Sequence, residues 1–505
     1  MIPFLAVRTA AARLSLVAAV LFPAACAGAG GAVRPGLLAP EPLAAVIDSV
    51  VSSAPLDRTQ WGIAVRDLRS RQWLVRLNAG RHFVPASNTK LVVTTVAMGE
   101  LGPDYRYETP VFLRARPGDT IASDLVIIGR GDPTFSARFH ESDFTVTDSI
   151  AGIVAAEGIR RIGDITVDAT FFGDRTINGT WEVGDLPAAY APPISAFAIG
   201  EGTFGLVLAG GTRAGEAGRA EAIGPAGLQH LRATIVTDTP GARAVSRIDF
   251  LARSHGVFLD GSVGAGRTDT TRIAVTDPAA FAARAVEAAL RARGIRVDGT
   301  VRVVRDSAHA LQLRDQLHAD FRRIAALVSP PLTDIVAAIL RPSQNWIAEM
   351  LLKTLGAERR GSGGWSTGLD VERRYLIDVA RVDSTTFFLR DASGLSPQNL
   401  LAPEAIVALL EHARSAAWGQ VYYDALPTPG MEDGTLESRL LDLRGRIRAK
   451  TGSITNVNTL SGYLTTTDGR ELVFSLMTNA AGLPAAAVRR GMDRIIQALS
   501  MEVPR

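Results

Sequence analysis

Two of the three lysines in this 505-residue chain stand where an amine, rather than a guanidinium, is the useful cation. Lys90 follows Ser87 by three residues in Ser87-Asn88-Thr89-Lys90, and Lys450 opens Lys450-Thr451-Gly452-Ser453. Elsewhere the chain uses arginine, 51 times. Arginine stays protonated at any working pH, whereas a lysine that is desolvated or set beside another cation can lose its proton and act as a base. S-x-x-K at a helix start puts hydroxyl and amine on one face, one turn apart, which supplies a serine nucleophile with a base and no histidine. A capping serine followed by a surface lysine reads the same, so the pair alone decides nothing. The set does. Ser343-Gln344-Asn345 supplies S-x-N just ahead of an apolar helical stretch, and Lys450-Thr451-Gly452 supplies K-T-G at the end of a strand, with the small Ser453 after the glycine. Lys353 lies in a helix and has no such setting.

The elements that must hold these residues come from both chain ends. Leu43 to Val51 has helical periodicity, and Trp61 to Asp67 and Gln72 to Leu77 alternate as two strands around the turn Leu68-Arg69-Ser70. A helix begins at Pro85-Ala86-Ser87 and is stopped by Leu101-Gly102-Pro103. Asn345 to Leu355 spaces Trp346, Ile347, Met350, Leu351 and Leu355 as a buried helix. The strands Leu460 to Thr465 and Glu471 to Met477 flank Asp468-Gly469 as a hairpin, and a helix from Ala485 to Leu499 follows. Between the two halves the composition shifts to Thr, Asp, Gly and Val. A weak repeat marks that region. Helix Ile150 to Glu157 leads through Gly158-Ile159-Arg160 to a strand near Ile165, and helix Ala279 to Arg293, with Asp277 as N-cap and Pro278 at its first position, leads through Gly294-Ile295-Arg296 to Thr300 to Val304. Together these predict one α+β domain, an antiparallel sheet flanked by helices, interrupted by a large insertion.

Composition excludes several classes of function. The chain is 47% apolar and 21% charged, as folded domains are, and a net charge of +3 over this length is no footprint for nucleic acid. One cysteine makes neither an internal disulfide nor a cysteine-based zinc site, and the seven histidines lack metal-ligand spacing, which disfavours a metal-dependent peptidase. Arg8 and Arg13 precede an uncharged apolar stretch from Leu14 to Ala27, too short to span a bilayer, which reads as an export signal. Two cleavage schemes fit. Ala25-Cys26-Ala27 would discard the cysteine, whereas Ala24-Ala25-Cys26 would leave Cys26 as a lipidated first residue that ties the protein to a membrane. Arg130-Gly131-Asp132 and Asn178-Gly179-Thr180 read as turns, and Gly361 to Gly364 as a loop without the lysine of a phosphate-binding motif.

Ser-Lys, then Ser-Asn, then Lys-Thr-Gly is the order found in penicillin-binding proteins and class A β-lactamases. Ser87 and Ser343 are 256 residues apart, and that long insertion resembles the D-alanyl-D-alanine carboxypeptidase/endopeptidase branch, the class C low-molecular-mass penicillin-binding proteins. Gly129 to Pro133, Asp391 to Ser396, Leu426-Pro427 with Gly434-Thr435-Leu436, and Leu460 to Tyr463 are similar to it as well. Ala392 stands where the family usually has Gly, and Gly200-Glu201 where an Asn-containing turn is common. The resemblance implies a β-lactamase/transpeptidase-like catalytic domain of residues 43–105 and 310–505, an inserted domain of 106–184 and 273–309, and a second insertion of 185–272, behind a signal of 1–27 and a linker of 28–42. It implies an exported, periplasmic or envelope serine peptidase that needs no cofactor, takes peptidoglycan peptides, and is acylated by β-lactams. Ser87 would be the nucleophile, Lys90 its base and Ser343 a proton relay; Asn345 would bind the substrate amide, Lys450 and Thr451 its carboxylate, and the N–H groups of Ser87 and Ser453, beyond Gly452, its oxyanion. A β-lactamase-like hydrolase and a non-catalytic wall-binding relic are the alternatives.

Overall fold

The computed structural model describes residues 41–501 except 174, 226, 227, 229 and 251–255. The export signal with Cys26, and the linker up to residue 40, lie outside the described residues.

Five strands form the sheet beside the motifs, in the order Ile447–Ile454, Val457–Thr465, Glu471–Asn479, Gln60–Asp67, Trp73–Leu77. All neighbours are antiparallel. Gln60–Asp67 pairs with Glu471–Asn479 over its whole length, Ile63 opposite Leu476, so early and late segments of the chain close one sheet. Val457–Thr465, Glu471–Asn479 and Gln60–Asp67 are buried along most of their length because both faces are covered. Side chains alternate between the faces with a period of two. Ile63, Val65, Phe474 and Leu476 therefore pack with Ile47 of Glu41–Val51 and with Val488 and Ile495 of Ala485–Ser500. Ala64, Val473 and Met477 enter the other core, built by the helices Lys90–Glu100, Asn345–Arg360 and Pro403–Ser415. Trp346, Ile347, Met350, Leu351 and Leu355 are all buried there, and their helix stops at Gly361, whose φ of 69° is the left-handed closing position that glycine adopts without steric cost. The expected α+β architecture is what forms.

The insertion carries a second sheet, in the order Arg296–Val297, Arg161–Asp168, Ile121–Ile128, Glu108–Leu113, Arg322–Val328, with Val301–Val304 also paired to Arg161–Asp168. The repeat seen in the sequence has a structural counterpart. Helices Thr145–Ala156 and Pro278–Ala292 pack on each other, and the strands after the second Gly-Ile-Arg run parallel to the strand after the first. Asp277 caps the second helix by accepting from the Ala280 N–H at 3.1 Å. Two three-stranded sheets follow within residues 203–274, and their Phe204, Leu206, Ile235 and Val257 share one core with Ile127 and Ile165 of the larger sheet and with Leu290 of the helix Pro278–Ala292.

One boundary moves. Residue 309, where the sequence suggests the insertion ends, lies inside the helix Ser307–Asp320, and Arg322–Val328 pairs with Glu108–Leu113. A returning helical pattern does not mark the boundary here, because the inserted sheet has a helix of its own there; backbone pairing carries the segment to Val328.

Candidate active site

Ser87 sits in a 3₁₀ turn, Ala86–Thr89, that feeds directly into the helix Lys90–Glu100. The turn is tied down around it. Thr89 Oγ1 donates to the Ala86 carbonyl at 2.9 Å, and Asn88 Nδ2 donates to Ser461 Oγ at 2.6 Å, which is linked in turn to Ser475 Oγ at 2.9 Å on the neighbouring strand. The two middle residues of S-x-x-K are thus anchors to the turn and the sheet. Ala86 has φ 46°, a left-handed conformation that costs a side-chain-bearing residue roughly 1–2 kcal/mol and is held by these contacts. Lys90 is fully buried, with its Nζ 2.9 Å from Ser87 Oγ, 2.6 Å from Asn345 Oδ1 and 2.6 Å from the Ser393 carbonyl oxygen. Burial pushes the amine down to about 7, against the opposing charges of Asp391 and Glu349.

The S-x-N motif bridges two helices, Leu332–Leu340 and Asn345–Arg360. Ser343 has φ 66°, and Gln344 caps the second helix through Ile347 N–H at 3.3 Å. This turns Asn345 Oδ1 toward Lys90 while Asn345 Nδ2 donates to the Tyr190 carbonyl at 2.8 Å, a contact from the insertion. Lys450 Nζ lies 2.7 Å from Ser343 Oγ and 2.6 Å from the Thr451 carbonyl oxygen. It is fully buried, and burial together with the Lys90 charge holds its amine well below the usual lysine value.

K-T-G lies within the edge strand Ile447–Ile454 rather than at its end. The Ala449 N–H points off the sheet, to the Pro427 carbonyl at 2.9 Å, so the alternation of the strand turns the N–H groups of Thr451 and Ser453 to the same free side. Thr451, Gly452 and Ser453 line one cavity with Ser87. A Cβ on Gly452 would stand 2.9 Å from Ser87 N and 3.0 Å from the Pro85 carbonyl oxygen, so the strand approaches the nucleophile this closely only with glycine there.

A model of the D-Ala-D-Ala carboxypeptidase 3 (S13) family matches residues 43–500. The chain belongs to this family. This S13 chain is 33% identical over 456 residues to a D-alanyl-D-alanine carboxypeptidase of Actinomadura sp. (strain R39), covering 87% of its own length and 81% of the relative. It is similar in fold to penicillin-binding protein 4 of Haemophilus influenzae, with a TM-score of 0.78 over 90% of this chain and 99% of that one at 19% identity. The same protein complexed with a β-lactam gives a TM-score of 0.74 over the same shares at 19% identity.

The S13 motifs do not stand alone. Two cavities, of about 310 and 440 Å³, meet at Ser87, Ser343 and Ser453. The larger is lined by Asn345, Gly394 and Leu395, and also by Glu182, Asp185 and Tyr190, which the insertion contributes and which no motif announces. Beneath Lys90, the 391–396 loop hangs on two buried carboxylates. Glu349 Oε1 accepts from the N–H of Ala392 at 3.1 Å and of Ser393 at 2.7 Å, and Glu349 Oε2 accepts from Trp365 Nε1 at 2.7 Å. Asp391 accepts from Gly394 N–H at 2.9 Å, Ser396 N–H at 2.7 Å, Asn399 Nδ2 at 2.6 Å and Trp181 Nε1 at 3.0 Å. Together they aim the Ser393 carbonyl at Lys90. Burial and the neighbouring Asp391 charge push the Glu349 carboxyl up.

The two departures from the family pattern leave the motifs intact. Ala392 is fully buried and avoids the left-handed region, so it needs none of glycine's freedom. Glu201 adopts φ 57° in place of the usual Asn, pairs with Arg138, and accepts from Gln344 Nε2 beside the S-x-N turn.

Proposed function

We propose that this S13-family D-Ala-D-Ala carboxypeptidase cleaves peptidoglycan stem peptides through an ester formed on Ser87. One observation carries the mechanism: Lys90 Nζ is fully buried 2.9 Å from Ser87 Oγ, and its two other neighbours, Asn345 Oδ1 and the Ser393 carbonyl, are both acceptors. A neutral amine has two N–H groups and one lone pair. Two acceptors take the N–H groups, and the lone pair is left for the Ser87 hydroxyl proton.

Ser87 Oγ attacks the carbonyl carbon between the two terminal D-alanines as its proton passes to Lys90. The N–H groups of Ser87 and Ser453 hold the oxyanion, each donor contributing about 3 kcal/mol to the transition state. The C–N bond then breaks. Its nitrogen takes a proton from Ser343, which is reprotonated by Lys450 at 2.7 Å, and the proton captured by Lys90 passes to Lys450, so each amine ends the step as it began. D-Alanine leaves, and the stem peptide stays as a Ser87 ester. Water attacks the ester as its proton passes to the neutral Lys90, and Lys90 hands that proton to Ser87 Oγ as the C–O bond breaks, restoring both residues. Asn345 Nδ2 keeps one N–H beyond its bond to Tyr190 for the substrate amide, and Thr451, Gly452 and Ser453 line the way out for the leaving residue. A peptide cross-link presents the same acyl bond to the amine of a D-centre, so endopeptidase action needs no different chemistry. β-Lactams enter by the same attack.

Such a substrate lies outside the cytoplasm, and the stretch from Arg8 to Ala27 reads as the export signal that takes the protein to the periplasm or envelope. Cys26 is either discarded with it or kept as a lipid anchor; no helix among the described residues is long and apolar enough to cross a membrane.

Covalent labelling by a fluorescent penicillin is the test. The native chain takes up the label and releases it slowly, while Ser87→Ala takes up none. Labelling that persists in Ser87→Ala overturns the assignment, and rapid release of bound label would select the β-lactamase reading.

A further inference from the structure

The site has a charge to find. A substrate ending in D-alanine brings a free carboxylate, and the family resemblance implies Lys450 and Thr451 as its partners. Lys450 does not reach either cavity. It is fully buried, and its Nζ turns to Ser343 Oγ at 2.7 Å and the Thr451 carbonyl at 2.6 Å.

The two cavities that meet at Ser87 differ in electrostatic character. The larger carries the carboxylates Glu182 and Asp185, which repel a terminal carboxylate, and the smaller is walled by Arg439 and Arg489 opposite Thr451 and Ser453. A peptide whose scissile carbonyl sits at Ser87 sends one end into each, so its carboxylate end belongs in the smaller one. Of the two arginines there, Arg439 is already neutralised by Asp493, its Nη2 lying 2.6 Å from Oδ1. Arg489, in the second turn of the helix Ala485–Ser500, has no carboxylate partner among the described residues; its Nε donates to Asn458 Oδ1 at 3.4 Å, an amide oxygen that also takes the Ser453 hydroxyl at 3.5 Å. This leaves a permanently charged, fork-shaped donor one amide away from the K-T-G strand, and guanidinium pairs with carboxylate through two parallel hydrogen bonds.

We infer that Arg489 is the specificity-determining cation of this site, gripping the free carboxylate of the leaving residue between its guanidinium and the hydroxyls of Thr451 and Ser453. The inference rests on the peptidase reading above and adds to it the group that makes a free C-terminus preferred. Nothing in the S-x-x-K, S-x-N and K-T-G motifs encodes this residue, because it arrives on a helix beyond the last of them.

The test compares kcat/KM for diacetyl-L-lysyl-D-alanyl-D-alanine with that for the same peptide ending in D-alaninamide, which lacks the carboxylate. The native chain is expected to prefer the acid, and Arg489→Gln to reduce that preference at least tenfold. Arg489→Lys, which keeps the charge but not the fork, is expected to recover part of it. Arg490→Gln, exposed on the same helix and absent from both cavity walls, serves as control with the preference unchanged. A native chain that cleaves both peptides without preference, or an Arg489→Gln variant with the preference intact, overturns the assignment to Arg489 alone. A native chain that releases no D-alanine or D-alaninamide overturns the peptidase reading, and this inference with it.

Discussion

Lys90, Lys353 and Lys450 are the three lysines of the chain, and all three are fully buried, while arginines make the exposed ion pairs. Lys353 is the structural one: its Nζ donates to the Arg175 carbonyl at 2.7 Å and lies 4.1 Å from the ring centre of Trp365. Lys90 is the one that must lose a proton. Because burial brings its amine down to about 7, the fraction of free base grows through neutrality, and kcat/KM is expected to rise with an apparent pKa near 7 and then level off. Below that point each pH unit should cost about tenfold. Initial rates of D-alanine release against pH measure this, and a profile flat through neutrality would remove Lys90 from the role of base. Lys90→Arg should be inactive throughout, since guanidinium keeps its proton. These residues were legible in the sequence because nucleophile chemistry fixes both type and spacing. Glu349, Tyr190 and Arg489 were not. Each reaches the site from a distant segment, and a buried carboxylate leaves no periodic mark to tell it from one on a solvated face.

The element that matters most is the short turn Ala86–Thr89, and the sequence misses its form. Pro85-Ala86-Ser87 predicts an ordinary helix start, whereas the chain makes a 3₁₀ turn with Ala86 at positive φ, fixed by Ser461, which accepts from Asn88, and by Thr459, whose hydroxyl donates to the Pro85 carbonyl, both from hundreds of residues away along the chain. Periodicity carries no information about a distortion imposed by tertiary contacts. The 391–396 loop presses on this turn through Gly394, whose φ is 81° and where an added Cβ would run into the Ala86 carbonyl. Gly394→Ala is therefore expected to destabilise the fold by about 2 kcal/mol or more and to slow acylation at least tenfold. Denaturant unfolding and the rate of penicillin labelling read the two effects separately. A variant with native labelling kinetics would show that the loop does not set the position of Ser87.

The whole molecule combines one sheet closed by both parts of the catalytic fold with an insertion that lends residues to the site. The fold class and the repeat within the insertion could be read from patterning, since apolar periodicity and capping are local. The contacts between insertion and site could not, because Tyr190 and Trp181 meet Asn345 and Asp391 only after folding. At this scale the export reading is open to direct measurement. Intact-mass analysis of protein from the envelope fraction should give an amino terminus at Cys26 or later. A diacylglycerol mass on Cys26 identifies the anchored form, an unmodified terminus beyond it excludes the anchor, and retention of Met1 overturns the export signal. The pairing of Gln60–Asp67 with Glu471–Asn479 also has a bearing on timing. Ser87 emerges early, but the strand that bears Lys450 follows 363 residues later, and the sheet that aligns them waits for later segments still. A wall-cutting enzyme assembled in this order gains its complete site only when its last strands join the sheet, and until Lys450 has arrived its nucleophile lacks half of its partners.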